Sequence, residues 1–228
     1  MKTPPLITRP IFKMLLAFIC FHLLYINLAY TQSVVNIVGV KTQVSGKINK
    51  LDLKNLTVNV AINRIGFDQE NIELTADSNG DFHADFYLEV ATDVWIVYKT
   101  NFLAIVKPGD SLFVEFNGNA KERPTLLKTI KFSGQSALLN TEIAQFQKRY
   151  FGERGTNHFK KREKIYKNYS PEEFLIYLQK VKDNQAKLFA NYVAEYQPSD
   201  EAKMWAQNTM AGWWRNTNQR RINYQNLI

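Results

Sequence analysis

The sequence predicts an α+β protein: an antiparallel β-sandwich or open barrel of about eight strands, followed by three to four helices. Two observations carry that prediction. Between Val34 and Gly134, apolar and polar residues alternate in short runs separated by frequent turn signals. After Gly134 the period changes, and Leu139, Ile143, Phe146 and Tyr150 fall 4, 3 and 4 residues apart, the spacing of one helix face. The chain has 228 residues, 45% of them hydrophobic and 13% aromatic, which is enough to bury a sizeable core.

The first element is a leader. Lys2, Arg9 and Lys13 precede an apolar run from Met14 to Tyr30, and Ala29 and Thr31 are small residues spaced for a cut before Gln32. A basic start, an apolar middle and a small-x-small exit predict a secretory signal peptide over residues 1–31, and hence a periplasmic or otherwise extracytoplasmic protein. The alternative is an uncleaved anchor, which would be the chain's one route to membrane contact. Cys20 is the single cysteine and lies in this apolar run. Ile19, directly before it, is not the small residue that a lipid-anchoring cysteine requires. Cleavage therefore leaves a chain without thiols, held by its core alone.

Strands are predicted at Val44–Ile48, Leu56–Val60, Asn71–Ala76, Phe82–Val90, Val94–Tyr98, Phe102–Val106, Ser111–Phe116 and Thr129–Phe132. Gly46 marks a close approach within the first. Asn79-Gly80, between the third and fourth, predicts a hairpin. Lys107-Pro-Gly-Asp110 predicts a tight turn with Pro at its second position and Gly at its third. A second Asn-Gly ends the seventh strand, and a polar stretch runs through Pro124. This sandwich is assigned to residues 32–134 and a helical domain to 135–228.

The first helix is expected to end at Gly152 and Gly155, with residues 156–169 either a loop or a short exposed helix. Ser170-Pro-Glu-Glu173 is a complete helix start, with Ser as cap, Pro at the first helical position and Glu closing a capping box. Phe174, Leu178, Val181, Leu188, Tyr192 and Tyr196 line one face of that helix until Pro198. Ser199 and Asp200 offer a new cap for a helix carrying Met204, Trp205, Met210, Trp213 and Trp214.

No phosphate loop, nucleophile elbow, His-Glu-x-x-His or Cys-x-x-Cys motif occurs, and no cofactor is predicted. His83 and His158 lack an acid and a nucleophile at useful spacing. Asp77, Asn79 and Asp81 resemble the start of a calcium loop, but Phe82 and Leu88 stand where that loop needs Gly and Glu. Charge divides unevenly: residues 32–134 carry a net −1 and residues 135–228 a net +6. Lys160, Lys161, Arg162 and Lys164 form the densest basic cluster, a candidate for an anionic envelope polymer; export argues against nucleic acid. Trp205 and Trp213 are eight residues apart and share a helix face, whereas Trp214 points elsewhere. Trp205, Trp213 and Trp214 are the candidate docking surface, with core packing the alternative for the first two. A second candidate surface for glycan combines Tyr87, Trp95 and Tyr98 with the basic helices.

Four motifs together resemble the N-terminal region of exported, Bacteroidetes-type TlpA-like proteins of the thioredoxin family. They are Val44-Ser-Gly-Lys-Ile48, Asp77-Ser-Asn-Gly-Asp-Phe82, Pro108-Gly-Asp110 and Phe132-Ser-Gly134, in that order. Asn140, Phe146 and the Trp205-Ala206 pair fall where the family's bridging helices would be. The resemblance implies a thioredoxin domain with a Cys-x-x-Cys pair beyond this region, and the sequence contains neither. It therefore implies no catalytic residue here, in either a truncated member or a stand-alone accessory module. The expected role is a non-catalytic module that docks a thioredoxin-like domain or its client, with an envelope glycan or polymer as the alternative ligand.

Overall fold

A computed structural model describes residues 39–225 except 65, 67, 68 and 155–157; the side chains of 153, 154, 158–162 and 213–225 are outside the description. The leader, its cleavage site and Cys20 lie outside the described residues. Gly39 onward forms one compact unit, in which seven of the eight described strands precede the first helix.

Eight strands form two four-stranded sheets. They are β1 (Val40–Asn49), β2 (Thr57–Asn63), β3 (Gln69–Thr75), β4 (Asp81–Leu88), β5 (Thr92–Tyr98), β6 (Thr100–Val106), β7 (Ser111–Asn117) and β8 (Lys131–Gly134). One sheet has the order β4-β1-β7-β8 and the other β3-β2-β5-β6. All pairings are antiparallel except β1 with β7, which runs parallel.

Each strand's alternation points one set of side chains inward. Val44, Ile48, Phe82, Phe86, Leu112, Val114 and Phe116 from the first sheet meet Val58, Val60, Ile62, Val94, Ile96, Phe102 and Val106 from the second. Phe116 is central: its ring lies 5.4 Å from that of Phe102 and 6.3 Å from those of Phe82 and Tyr98. Gly46 points into this core, where a Cβ would stand 2.5 Å from both the Phe82 ring and the Val114 carbonyl oxygen.

The Asn79-Gly80 signal is corrected by the topology. A tight turn forms, with the Asp77 carboxylate accepting from the Asn79 and Asp81 N–H groups at 2.8 and 2.9 Å. The strands it joins, β3 and β4, belong to opposite sheets, so it is a corner and not a hairpin. The reason lies in β1. Gly80, at φ +85°, lies against the Ile48 backbone and accepts the Ile48 N–H at 2.9 Å, which starts the pairing of β4 on β1. The turn at Lys107–Asp110 forms as expected, closed by Asp110 N–H donating to the Lys107 carbonyl at 3.0 Å.

Five helices are described. The stretch read as polar through Pro124 holds a short one, α1 (Arg123–Leu127), which buries Leu126 and Leu127. The next, α2 (Ala137–Arg154), passes through Gly152 and ends just before Gly155. Residues read as loop or short helix contain α3 (His158–Asn168). Ser170 caps α4 (Pro171–Tyr196) with the complete capping box. Gln197, in the left-handed region at φ 46°, and Pro198 end α4. Ser199 accepts from the Ala202 N–H at 3.3 Å at the start of α5 (Asp200–Gln225).

Candidate functional site

The two outer faces of the sandwich differ. On the β4-β1-β7-β8 sheet the outward residues of β4 are His83, Asp85 and Tyr87, all exposed. Lys41 meets Asp85 at 2.9 Å, holding its carboxyl below the usual range, and His83 bonds the same carboxylate at 2.8 Å. On the other sheet, the outward residues Leu103 and Ile105 of β6 are buried under helices, Asp93, Trp95 and Val97 of β5 are half-buried, and Gln69, Asn71, Glu73 and Thr75 of β3 are exposed.

Edge strand β6 is the foundation of that cover. An unpaired strand edge exposes backbone donors and acceptors. Here Asn140 of α2 acts as a substitute strand: its carboxamide accepts from the Ile105 N–H at 2.7 Å and donates to the Ile105 carbonyl at 2.8 Å. Two turns along α2, Gln147 donates to the Leu103 carbonyl at 3.1 Å. Leu103 and Ile105 then pack on Leu139, Ile143 and Ala202, with Trp95 and Trp205 at the margin. Sequence reasoning quoted Asn140 without this role and missed Gln147. The signal was present: Asn140 and Gln147 lie seven residues apart beside the apolar stripe, where polar residues need a reason.

Trp205 is half-buried. Its ring meets Phe146 edge-on at 6.1 Å, and its indole N–H points at the Asp93 carboxylate, 3.5 Å away. Burial raises the Asp93 carboxyl above its ordinary range, and the Trp205 contact offsets part of that shift. Lys107 pairs with Glu201 at 2.9 Å, a second tie between α5 and the sandwich. Arg123 lies with its guanidinium 5.1 Å from the Trp95 ring and 4.3 Å from the Phe151 ring, and donates to the Asn101 carbonyl at 3.0 Å. It fastens α1, α2 and the sheet together, a role no sequence pattern marked.

Among the helices, Phe146, Tyr150, Leu188, Tyr192 and Ala206 form a further core. The Tyr192 hydroxyl donates to the Glu142 carbonyl at 3.0 Å; burial first, and the Glu142 charge second, push its phenol well above the usual range. Arg149 pairs with Glu195 and lies over the Tyr196 ring.

The candidate residues therefore separate. Trp205 is part of the seam between helices and sheet. Trp213 and Trp214 continue along α5, and their side chains lie outside the described residues, as do those of Lys160, Lys161 and Arg162. Lys164 is exposed on α3. The glycan trio does not share a surface: Tyr87 is outside one sheet, Trp95 outside the other, and Tyr98 is 3% exposed inside the sandwich, its hydroxyl accepting from the Asp52 N–H. Among the described residues no three His, Cys, Asp or Glu side chains are grouped to hold a metal ion, and no helix is long and apolar enough to cross a membrane.

No protein-family model matches the chain, and no curated protein matches it. A solved structure described as a putative cell adhesion protein from Bacteroides ovatus is similar over part of its length, with 8% identity and a TM-score of 0.27. The match covers 43% of this chain and 44% of that one, so the chain spans less than half of the structure it matches.

Proposed function

We propose that this chain is a non-catalytic, extracytoplasmic docking module that serves a TlpA-like thiol-disulfide oxidoreductase, engaging either its thioredoxin-like domain or its client. One observation carries the reading: the residues behind the resemblance are those that hold the sandwich together. Gly46 admits the Phe82 ring, Gly80 lies on β1, Asp110 binds the Ser136 hydroxyl at the start of α2, and Phe132 packs 6.3 Å from Phe102. The likeness is thus one of scaffold, and none of these residues is a nucleophile.

The sandwich serves as a base. Its helix-covered face fixes the first turns of α5 through Trp205 and Glu201, and α5 then carries Trp213 and Trp214 onward. A helix anchored at one end presents its far end in a defined place, which lowers the ordering cost of docking. The docking surface in this reading is the distal half of α5, centred on Trp214.

The test is calorimetric titration of the chain, without residues 1–31, against a TlpA-like thioredoxin-domain protein from the same envelope. Saturable binding that Trp214→Ala weakens, at unchanged melting temperature, supports the proposal. Equal binding by the variant removes Trp214 from the surface, and no binding by either protein removes the proposal.

A further inference from the structure

Two open sheets have four edge strands, and three of them are blunted. On β6, Asn140 and Gln147 take up outward backbone groups of Ile105 and Leu103. Strand β8 is only four residues long. On β4 both ends are stopped. The Asp81 N–H donates to the Asp77 carboxylate and the Asp77 N–H to the Asp81 carbonyl, each at 2.9 Å, and at the far end the Arg64 guanidinium donates to the Tyr87 carbonyl. Strand β3 is the exception, and the ladder phase shows which of its groups are free. The Ala76 N–H donates to the Leu56 carbonyl at 2.8 Å, one step beyond the Thr57–Thr75 pair, so Leu56 and Ala76 form a hydrogen-bonded pair. Such pairs recur at every second position. Leu74, Ile72 and Glu70 therefore bond to β2, whereas Asn71, Glu73 and Thr75 turn both backbone groups away from it. Among the described residues, no group bonds to the backbone of those three.

The side chains indicate what pairs there. Antiparallel pairing of β3 with the β3 of a second copy, centred on Ile72, brings the outward backbone groups of both strands together. Asn71 then falls opposite the partner's Glu73, Gln69 opposite the partner's Thr75, Glu70 opposite the partner's Leu74, and Ile72 opposite its own copy. A carboxylate faces a carboxamide, and no like charges stand directly opposite. Ile72 and Leu74, half-buried at the rim of the sandwich core, gain apolar cover. Glu70, the one charge on their side of the strand, is already held by the Arg64 Nε at 2.9 Å. Neighbouring registers are poorer. Centring on Glu73 sets two carboxylates face to face, and centring on Asn71 leaves Thr75 opposite a residue that precedes β3.

We infer that two copies of this chain pair through β3 in a two-fold symmetric dimer, which joins their β3-β2-β5-β6 sheets into one. A single strand pair is a small interface, so the dimer is weak and reversible. It is independent of the docking proposed for α5: either can fail without the other.

The test is sedimentation velocity of the chain from Gln32 onward, which contains the whole compact unit, between about 5 and 500 µM. The expected result is a sedimentation coefficient that rises with concentration toward that of a dimer. Glu73→Pro weakens the dimer by about tenfold or more, because it removes an N–H that points away from β2 and that only the dimer uses. Two cysteine variants then read the register in a chain that has no other thiol from Gln32 onward. Two copies of residue 72 face each other as a non-hydrogen-bonded pair, with Cα atoms about 4.5 Å apart, within disulfide reach. Two copies of residue 74 do not meet. Ile72→Cys is therefore expected to cross-link on air oxidation, and Leu74→Cys to stay monomeric under denaturing electrophoresis. Three results overturn the inference: a monomer throughout the concentration range, a dimer that Glu73→Pro leaves unchanged, or equal cross-linking of the two cysteine variants. The first would leave β3 to an extended strand of another protein. The concentration series and the cysteine pair decide the matter even if the proline variant folds poorly.

Discussion

Asn140 is 1% exposed and satisfies both backbone groups of Ile105 with one carboxamide. Replacing it by alanine leaves a buried donor and acceptor without partners, and each such loss costs about 1–3 kcal/mol. Asn140→Ala is expected to destabilise the fold by about 2–4 kcal/mol in urea unfolding, while Thr141→Ala on the exposed side changes little. Gly46→Ala drives a methyl group into the Phe82 ring and the Val114 carbonyl and is expected to cost about 1–3 kcal/mol in the same measurement. Asp93 acts in the opposite sense. Its folded-state pKa is raised, so its charge opposes folding above that value and the penalty fades as pH falls and the carboxyl protonates. Asp93→Asn should therefore melt higher than the parent near pH 7, with the gap closing toward about pH 3. Individual roles of this kind were only partly legible. Gly46 announced itself as a glycine inside an alternating strand, whereas Arg123 and Asp93 acquire their meaning from Trp95, Phe151 and Trp205, which are distant in sequence.

At the scale of elements, local chemistry was legible wherever it was self-contained. The Ser170 start was readable because every partner lies within four residues, and the structure contains both of its reciprocal bonds. Ser170→Ala should cost about 1 kcal/mol, read from the shift of the urea midpoint. Asn79-Gly80 was misread because a turn signal specifies the bend and not which sheet receives the next strand. Conversely, the tightest connection among the described strands, between β5 and β6, turns on Lys99 alone, with Tyr98 paired to Thr100. Lys99 takes φ 53°, a conformation that a lysine gives no sequence warning of, and its ammonium meets Asp52 at 2.8 Å. Helix α1 was hidden for a related reason: five residues are too few to show a period, and burial of Leu126 and Leu127 supports it instead.

At the scale of the whole molecule, alternation over about eight strands was enough to predict a sandwich or an open barrel, because a half-buried strand must hide its apolar face; the structure has two four-stranded sheets. Alternation says nothing about partners, and so the central parallel pair of β1 with β7, formed by strands some seventy residues apart, was not legible. The same holds for the site. Sequence located the tryptophans on one helix, but only packing separates Trp205, at the seam with the sheet, from the residues farther along α5. The proposed docking role rests on the anchoring of the first turns of α5 on the sandwich through Trp205 and Glu201. The most direct measurement of the proposed docking is calorimetric titration of the chain, without residues 1–31, against a TlpA-like thioredoxin-domain protein from the same organism. The account predicts saturable binding, weakened by Trp214→Ala, and no disulfide reduction by the chain alone; an absence of binding heat at concentrations up to about 1 mM, beyond the range of specific association, would contradict it.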